Sequence, residues 1–121
     1  MSVNENKAVA RRWNEEVATG GKPEAFDEVL DRNYTNYGGS SSPWAVIIQG
    51  VEAAKKYFMD MLQKHPTWRV SVDDIIGEGD KVALRLTFLE EKKPVATLIC
   101  FYRLANGKIV DDWFCSTQVK G

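Results

Sequence analysis

The segment from Trp68 to Gln118 places the strongest constraint on the fold. It contains four stretches rich in aromatic and β-branched residues, separated by the short polar segments GEGD (77–80), EEKKP (90–94) and ANGK (105–108). Each connection is too short for the helix that joins parallel neighbouring strands. The spacing therefore predicts four consecutive strands in an antiparallel sheet.

The first half of the chain predicts helices. Apolar residues at helical spacing favour a first helix, capped by Ser2 or Asn4 and running to about Thr19. A shorter helix is expected from about Pro23, and a third from about Val51 to Lys64. A brief strand is expected at 33–37. Helices followed by a strand meander predict a single α+β domain over residues 1–121. In it, a curved antiparallel sheet of four long strands plus a short one wraps around three N-terminal helices to form a cone with an apolar pocket.

Composition limits the partners that we expect. Apolar residues make up 44% of the 121 residues, charged residues 27%, and the formal net charge is −1, which disfavours nucleic acid. The longest apolar run is AVII (45–48), so no membrane span is expected, and the N-terminal stretch lacks a secretory signal. Cys100, Cys115 and the single histidine, His65, form no zinc pattern. We expect a cytoplasmic protein with two free thiols and no metal or cofactor, and with His65 exposed at a helix end.

Four segments together resemble a known family. They are RRWNEEVATGGKPEAFDEVLDRNYTNY, GVEAAKKYF, VDDIIGEGDKVALRLTF and FYRLANGKIVDDW. In this order and spacing, the chain resembles the SnoaL-like polyketide cyclases, within the nuclear-transport-factor-two-like (cystatin-like) cone fold. The fold hosts isomerases, cyclases, epoxide hydrolases, dehydratases and non-catalytic modules. The resemblance therefore implies the fold, and any activity has to be argued from individual residues.

The resemblance also implies where catalytic groups would lie. A ketosteroid isomerase of this fold would carry a base at Gly38, a tyrosine at Asn14 and an acid at Ile99, and all three groups are missing here. Proton abstraction needs a base and an oxyanion stabiliser, so that chemistry is not expected in its family form.

The cyclases and hydrolases are implied to use other positions. Their acid on the last strand corresponds to Phe114, and the hydrolases' arginine and second acid correspond to Leu86 and Phe88. The hydrolases' Tyr-x-Asn spacing survives as Tyr34 and Asn36. Most of the implied catalytic positions thus carry apolar residues.

The hairpin at Asn106-Gly107 decides which acid faces the pocket. Asn-Gly favours a two-residue turn, and this register pairs Phe101 with Asp112. We therefore predict that Asp112 points toward the pocket and Asp111 away from it, although a bulge would exchange them. Asp112 is the candidate catalytic acid or base, with a pKa raised by desolvation. The alternative is a solvated acid at the rim, paired with Arg103.

Two functions remain open at this point. The first is the binding of a small lipophilic molecule in an apolar cone whose catalytic acids are largely replaced. The alternative is a cofactor-independent isomerase, cyclase or epoxide hydrolase that uses Asp112. Trp44 is either a lid over the pocket or an anchor in the core or dimer interface. The predicted ligand-binding residues are Trp13, Asn14, Tyr37, Leu86, Phe88, Ile99, Phe101, Phe114 and Ser116.

The opposite face of the sheet is also expected to be apolar. In the predicted register it carries Leu98, Cys100, Tyr102, Trp113 and Cys115, with the two cysteines as diagonal neighbours. No predicted helix remains to cover this face. We therefore expect a homodimer that packs through the outer face of the sheet.

Overall fold

A computed structural model gives the structure of residues 1–38 and 47–118, which have an α+β fold. Trp44, the candidate lid or anchor, lies outside the described residues. The helices are α1 (Val3–Arg12), α2 (Phe26–Val29, preceded by a 3-10 turn at Pro23–Ala25) and α3 (Val51–Lys64). The strands are β1 (Leu30–Asn36), β2 (Ile48–Gln49), β3 (Arg69–Glu78), β4 (Lys81–Glu90), β5 (Lys93–Ala105) and β6 (Lys108–Gln118).

Ser2, one of the two predicted caps, is the N-cap of helix α1. The Glu5 backbone N–H donates to Ser2 Oγ, and the Ser2 backbone N–H donates to Glu5 Oε1, which completes a capping box. The helix then continues through a π-helical turn at Trp13–Val17, close to the predicted end at Thr19. Trp13, Asn14 and Val17 are buried there. The turn therefore presents a wide face to the sheet, which brings both an aromatic and an amide side chain inward.

The six strands form one curved, mixed sheet in the order β2-β1-β6-β5-β4-β3. The meander of β3, β4, β5 and β6 is antiparallel, which confirms that part of the prediction. Two details differ from the predicted sheet. Strand β2 is an additional strand of two residues, too short to show any alternation. Strands β1 and β6 run parallel, which their connection through α3 and the whole meander allows.

The β5–β6 hairpin has the predicted turn but not the predicted ladder. Asn106 and Gly107 both have positive φ, as a two-residue Asn-Gly turn requires. Beside the turn, Ala105 pairs with Lys108 and Leu104 pairs with Ile109. The next pair is Arg103 with Asp111. The ladder therefore shifts by one residue after the first two pairs. Because side chains alternate along a strand, the shift changes which residues of β6 face inward beyond the turn.

The inward face of β5 is the opposite of the one predicted. Leu84 and Leu86 of β4 are buried, and they pair with Cys100 and Leu98 of β5. Directly paired residues share a face, so the even-numbered residues of this part of β5 point under the helices. The placement of Ile99 in the pocket was therefore wrong, and its side chain is 54% exposed. Phe101 is likewise outside, at 41% exposed.

Candidate active site

An apolar cavity of about 280 Å³ lies between the inner face of the sheet and the helices. Its size is at the lower end of ligand-binding pockets, which suits a small molecule. Aromatic rings dominate the wall: Phe58 stacks on Trp68 at 6.0 Å between ring centroids, and Trp68 meets Phe88 edge-on at 5.0 Å. The apolar residues that form most of the wall include Trp13, Met61, Trp68, Leu86, Phe88 and Phe114.

Asp112 lies at the buried end of this cavity and is 4% exposed. The Tyr34 hydroxyl donates to Asp112 Oδ2 at 2.5 Å, and Asn36 Nδ2 lies 3.4 Å from the same oxygen. Both donors come from β1, which pairs with β6 in parallel, Asn36 opposite Asp112. Within 1–38 and 47–118, no side chain donates to the second oxygen, Oδ1. Both of these described side-chain contacts of Asp112 are therefore made through the same carboxyl oxygen.

Burial sets the protonation of this group. Desolvation raises the pKa of Asp112 from 3.8 to about 7, and the hydrogen bond from Tyr34 acts in the opposite direction. Burial and the nearby Asp112 also raise the pKa of Tyr34 well above its ordinary value, so Tyr34 keeps its proton and acts as a donor. At neutral pH both forms of Asp112 are therefore populated, which suits a group that takes up and releases protons.

Tyr102 is the second polar group at the buried end. It pairs directly with Asp112 in the β5–β6 ladder, and both residues line the cavity. Its hydroxyl oxygen lies 2.9 Å from Asn14 Nδ2, and Asn14 Nδ2 also donates to the Ala10 carbonyl at 2.9 Å. Burial raises the pKa of Tyr102 well above its ordinary value. The Tyr102 hydroxyl also lies 3.3 Å from Asn14 Oδ1, so a ligand that accepts the Tyr102 proton competes with this longer contact.

The structure brings most of the predicted site residues together around the cavity. Asp112 is among them, and it faces inward as predicted. Two differences from the predicted hairpin compensate for each other at this residue. The even-numbered residues of β5 face inward instead of the odd-numbered ones, and the shifted ladder pairs Asp112 with Tyr102 instead of Phe101. The predicted residues that line the cavity are Trp13, Asn14, Leu86, Phe88, Asp112, Phe114 and Ser116.

Tyr37 joins Ile99 and Phe101 outside the cavity. Tyr34 and Asn36 are the buried residues of this part of β1, so alternation turns Tyr37 outward. The Tyr37 hydroxyl donates to Asp111 Oδ1 at 3.0 Å, and its ring stacks on Trp113 at 4.9 Å between centroids. The placement of Tyr37 in the pocket was therefore wrong.

Several residues of the site were not predicted. Tyr34 was noted only for its spacing to Asn36, and Tyr102 was assigned to the outer face. The unbroken apolar face of β4 could have identified Tyr102. Val82 belongs to that face and pairs with Tyr102, so both side chains lie on the inner face of the sheet. Both cysteines are free thiols. Cys100 is buried and lines the cavity, whereas Cys115 is exposed on the opposite face of the sheet.

His65 was expected to be simply exposed, yet it also lines the cavity. It lies at the C-terminal end of α3, and its Nδ1 is 2.6 Å from Oε1 of Glu90 at the end of β4. The side chains of His65 and Glu90 are 41% and 40% exposed. Since Asp112 is 4% exposed, the cavity runs from a buried polar end to a charged mouth that meets solvent.

Within 1–38 and 47–118, no three His, Cys, Asp or Glu side chains lie together as metal ligands would. No described helix has the length and apolar character to cross a membrane.

The sequence model of the SnoaL-like domain matches residues 10–112. The chain belongs to the SnoaL-like domain family. No curated protein matches the sequence significantly. The matched region runs from the last turn of α1 into β6 and ends at Asp112, so it includes the residues at the buried end of the cavity.

Solved structures share the fold with this SnoaL-like domain. A protein from Jannaschia sp., described as a SnoaL-like polyketide cyclase, is 16% identical over 94% of this chain and 86% of its own, with a TM-score of 0.76. A protein from Bacillus cereus, described as a polyketide cyclase, is 24% identical over 93% and 74%, with a TM-score of 0.72. One from Kribbella flavida, described as a ketosteroid isomerase, is 15% identical over 98% and 82%, with a TM-score of 0.75. At these identities the likeness shows the fold alone.

Proposed function

We propose that this SnoaL-like domain is a cofactor-independent acid–base enzyme that enolises a small lipophilic carbonyl compound. The observation that carries the proposal is the pairing of Asp112 with Tyr102 at the buried end of an apolar cavity. Directly paired residues of an antiparallel ladder have Cβ atoms about 5 Å apart. One small ligand can therefore contact the carboxyl and the phenol together.

Each group has one role in the reaction. The Asp112 carboxylate takes a proton from the carbon next to the carbonyl, and the electron pair of that C–H bond forms an enolate. Tyr102, held by Asn14, donates a hydrogen bond to the enolate oxygen. Asp112 then returns the proton to the same carbon or to another carbon. Alternatively, the enolate carbon attacks a second carbonyl carbon of the same molecule, and the π electron pair of that carbonyl moves to its oxygen, which takes the proton from Asp112. The last two outcomes are isomerisation and cyclisation.

The surroundings of Asp112 favour a role as a general base over that of a solvated surface acid. Tyr34 and Asn36 fix the carboxyl by one oxygen, and its pKa of about 7 matches the pH at which a general base is most effective. The apolar wall excludes water, which strengthens the hydrogen bond from Tyr102 to the developing charge.

A test uses 2-tetralone as the probe. In D₂O at pH 8, NMR measures the loss of the protons next to its carbonyl with and without the protein. We expect catalysed exchange that Asp112→Asn lowers at least 100-fold, the typical contribution of a general base. Asp111→Asn is the matched control, because the neighbouring acid faces the opposite side of the sheet, and it should retain the rate. Equal rates in the protein and Asp112→Asn would overturn the proposal.

A binding module is the second candidate. The positions at which the resemblance implies catalytic groups in hydrolases and cyclases, Leu86, Phe88 and Phe114, all form apolar wall. This candidate predicts that 2-tetralone shifts the NMR signals of the cavity residues but that exchange stays at the buffer rate.

A further inference from the structure

The mouth of the cavity carries a second polar group pair, far from Asp112. The chain's single histidine, His65, contacts Glu90 there, and both side chains line the same cavity. His65 comes from α3 and Glu90 from the end of β4, so two separate elements bring this pair to the opening.

The strand register gives an upper limit on the separation of the two polar ends. Val82 of β4 pairs with Tyr102, which in turn pairs with Asp112, so Val82 marks the level of the buried end. Glu90 lies eight residues further along β4, which is about 26 Å of strand before the curvature of the sheet shortens it. The residues that line the cavity extend from Tyr102 and Asp112 at one end to Glu90 at the other, so the cavity follows the strand direction.

The levels between the two ends are mostly apolar. The successive inward pairs of β4 and β5 are Leu84 with Cys100, Leu86 with Leu98, and Phe88 with Ala96. A ligand that fills the cavity therefore has an apolar middle and two polar ends.

We propose that the substrate is an elongated lipophilic molecule with oxygen functions at both ends, and that His65 with Glu90 selects for the one at the mouth. This rests on the proposed function, which assigns the carbonyl to the Asp112 end. His65 Nδ1 is engaged by Glu90, which leaves Nε2 for the ligand. The group at the mouth is a neutral hydroxyl, because a carboxylate would be repelled by Glu90 at close range.

The test compares alkan-1-ols with α,ω-alkanediols of the same length, from six to twelve carbons. Binding is followed by the fluorescence of Trp13 and Trp68, which line the cavity. At one chain length, the diol should bind about five-fold more tightly than its alcohol, the effect of one added hydrogen bond. In His65→Phe and in Glu90→Gln, the diol should bind no more tightly than the alcohol of the same length.

Glu91→Gln is the matched control, because this neighbouring acid does not line the cavity, and it should keep the gain. A diol that gains nothing at any length, or a gain that persists in His65→Phe, overturns this proposal. Binding by neither series overturns it as well. The proposed function is tested separately by 2-tetralone exchange. Asp112-dependent exchange without a diol gain would therefore contradict only the role of His65 and Glu90. A diol gain without exchange would contradict only the proposed enolisation activity.

Discussion

Tyr102 and Asp112 are direct partners in the β5–β6 ladder, and both side chains are buried at the same end of the cavity. Each is held from a different element: Asn14 of the π-helical turn contacts Tyr102, and Tyr34 of β1 contacts Asp112. The sheet and the first helix thus fix a hydrogen-bond donor and a titratable carboxyl side by side. Such fixed groups cost little reorganisation during a reaction.

Stability should depend on pH through Asp112. The pKa of its carboxyl is about 7 when folded and about 3.8 when exposed, so the native state retains a proton that the unfolded chain releases between these values. Its contribution is therefore complete below pH 4 and is lost as the pH rises toward 7. The loss amounts to roughly 4 kcal/mol in the free energy of unfolding.

Urea unfolding of the protein and of Asp112→Asn between pH 4 and 8 measures this contribution. The amide keeps the shape of the protonated acid and cannot ionise, so the variant should become the more stable of the two near pH 8. A constant difference across the pH range would contradict the raised pKa.

Tyr34→Phe should change the pH dependence of exchange. Because the hydrogen bond from Tyr34 lowers the pKa of Asp112, its removal should raise that pKa. Exchange of 2-tetralone requires the carboxylate, so the rate should rise through pH 7 in the protein and at a higher pH in Tyr34→Phe. Tyr37→Phe removes a hydroxyl outside the cavity and should leave the midpoint in place. An unmoved midpoint in Tyr34→Phe would show that this contact does not tune Asp112.

Tyr102→Phe should lower the rate without moving the midpoint. Removing one donor to a developing oxyanion costs about 100-fold or more in rate. The pKa of Asp112 is set by burial and Tyr34, so the profile should keep its shape. The exchange rates at the high-pH plateau check this, with circular dichroism confirming the fold. A rate equal to that of the unmodified protein would remove Tyr102 from the mechanism.

The outer face of the sheet is expected to bind a second copy of the chain. Its centre carries Ile99, Phe101 and Trp113, which are exposed. The charges beside it are paired within the chain, as in the contact between Arg103 and Asp111 at 2.6 Å. A neutral apolar face with paired charges at its edge suits an identical face better than a strongly charged partner.

Sedimentation equilibrium should give a dimer for the protein and a monomer for Phe101→Lys. Ile47→Lys is the control, because Ile47 is exposed but lies outside the sheet. A monomeric parent protein at micromolar concentration would contradict this expectation.

The meander and the helices could be predicted because the signals are local. Asn106-Gly107 specifies its turn, and Ser2 with Glu5 specifies the start of α1. The faces of β5 could not be read from β5 itself, since Ile99 and Phe101 are as apolar as the residues beside them. Only the register with β4 distinguishes the two faces, and register depends on contacts distant in sequence.

The polar end of the cavity shows the same limit. Tyr34 and Asn36 lie more than seventy residues before Asp112, and only the parallel pairing of β1 with β6 brings them together. The inward position of Asp112 was predicted correctly from a ladder that differs from the real one, so the agreement reflects two compensating differences. His65 lies at the cavity because α3 ends there. The residues around His65 in the sequence do not predict where the end of α3 lies relative to the sheet.

The most direct test of the account is the pKa of the Asp112 carboxyl, measured by carbon-detected NMR titration and assigned with Asp112→Asn. We expect a value of about 7, because the acid is desolvated and has Tyr34 as its donor. An ordinary value near 4 would contradict it. Asp112 would then be a solvated acid, and the protein would be interpreted as a binding module.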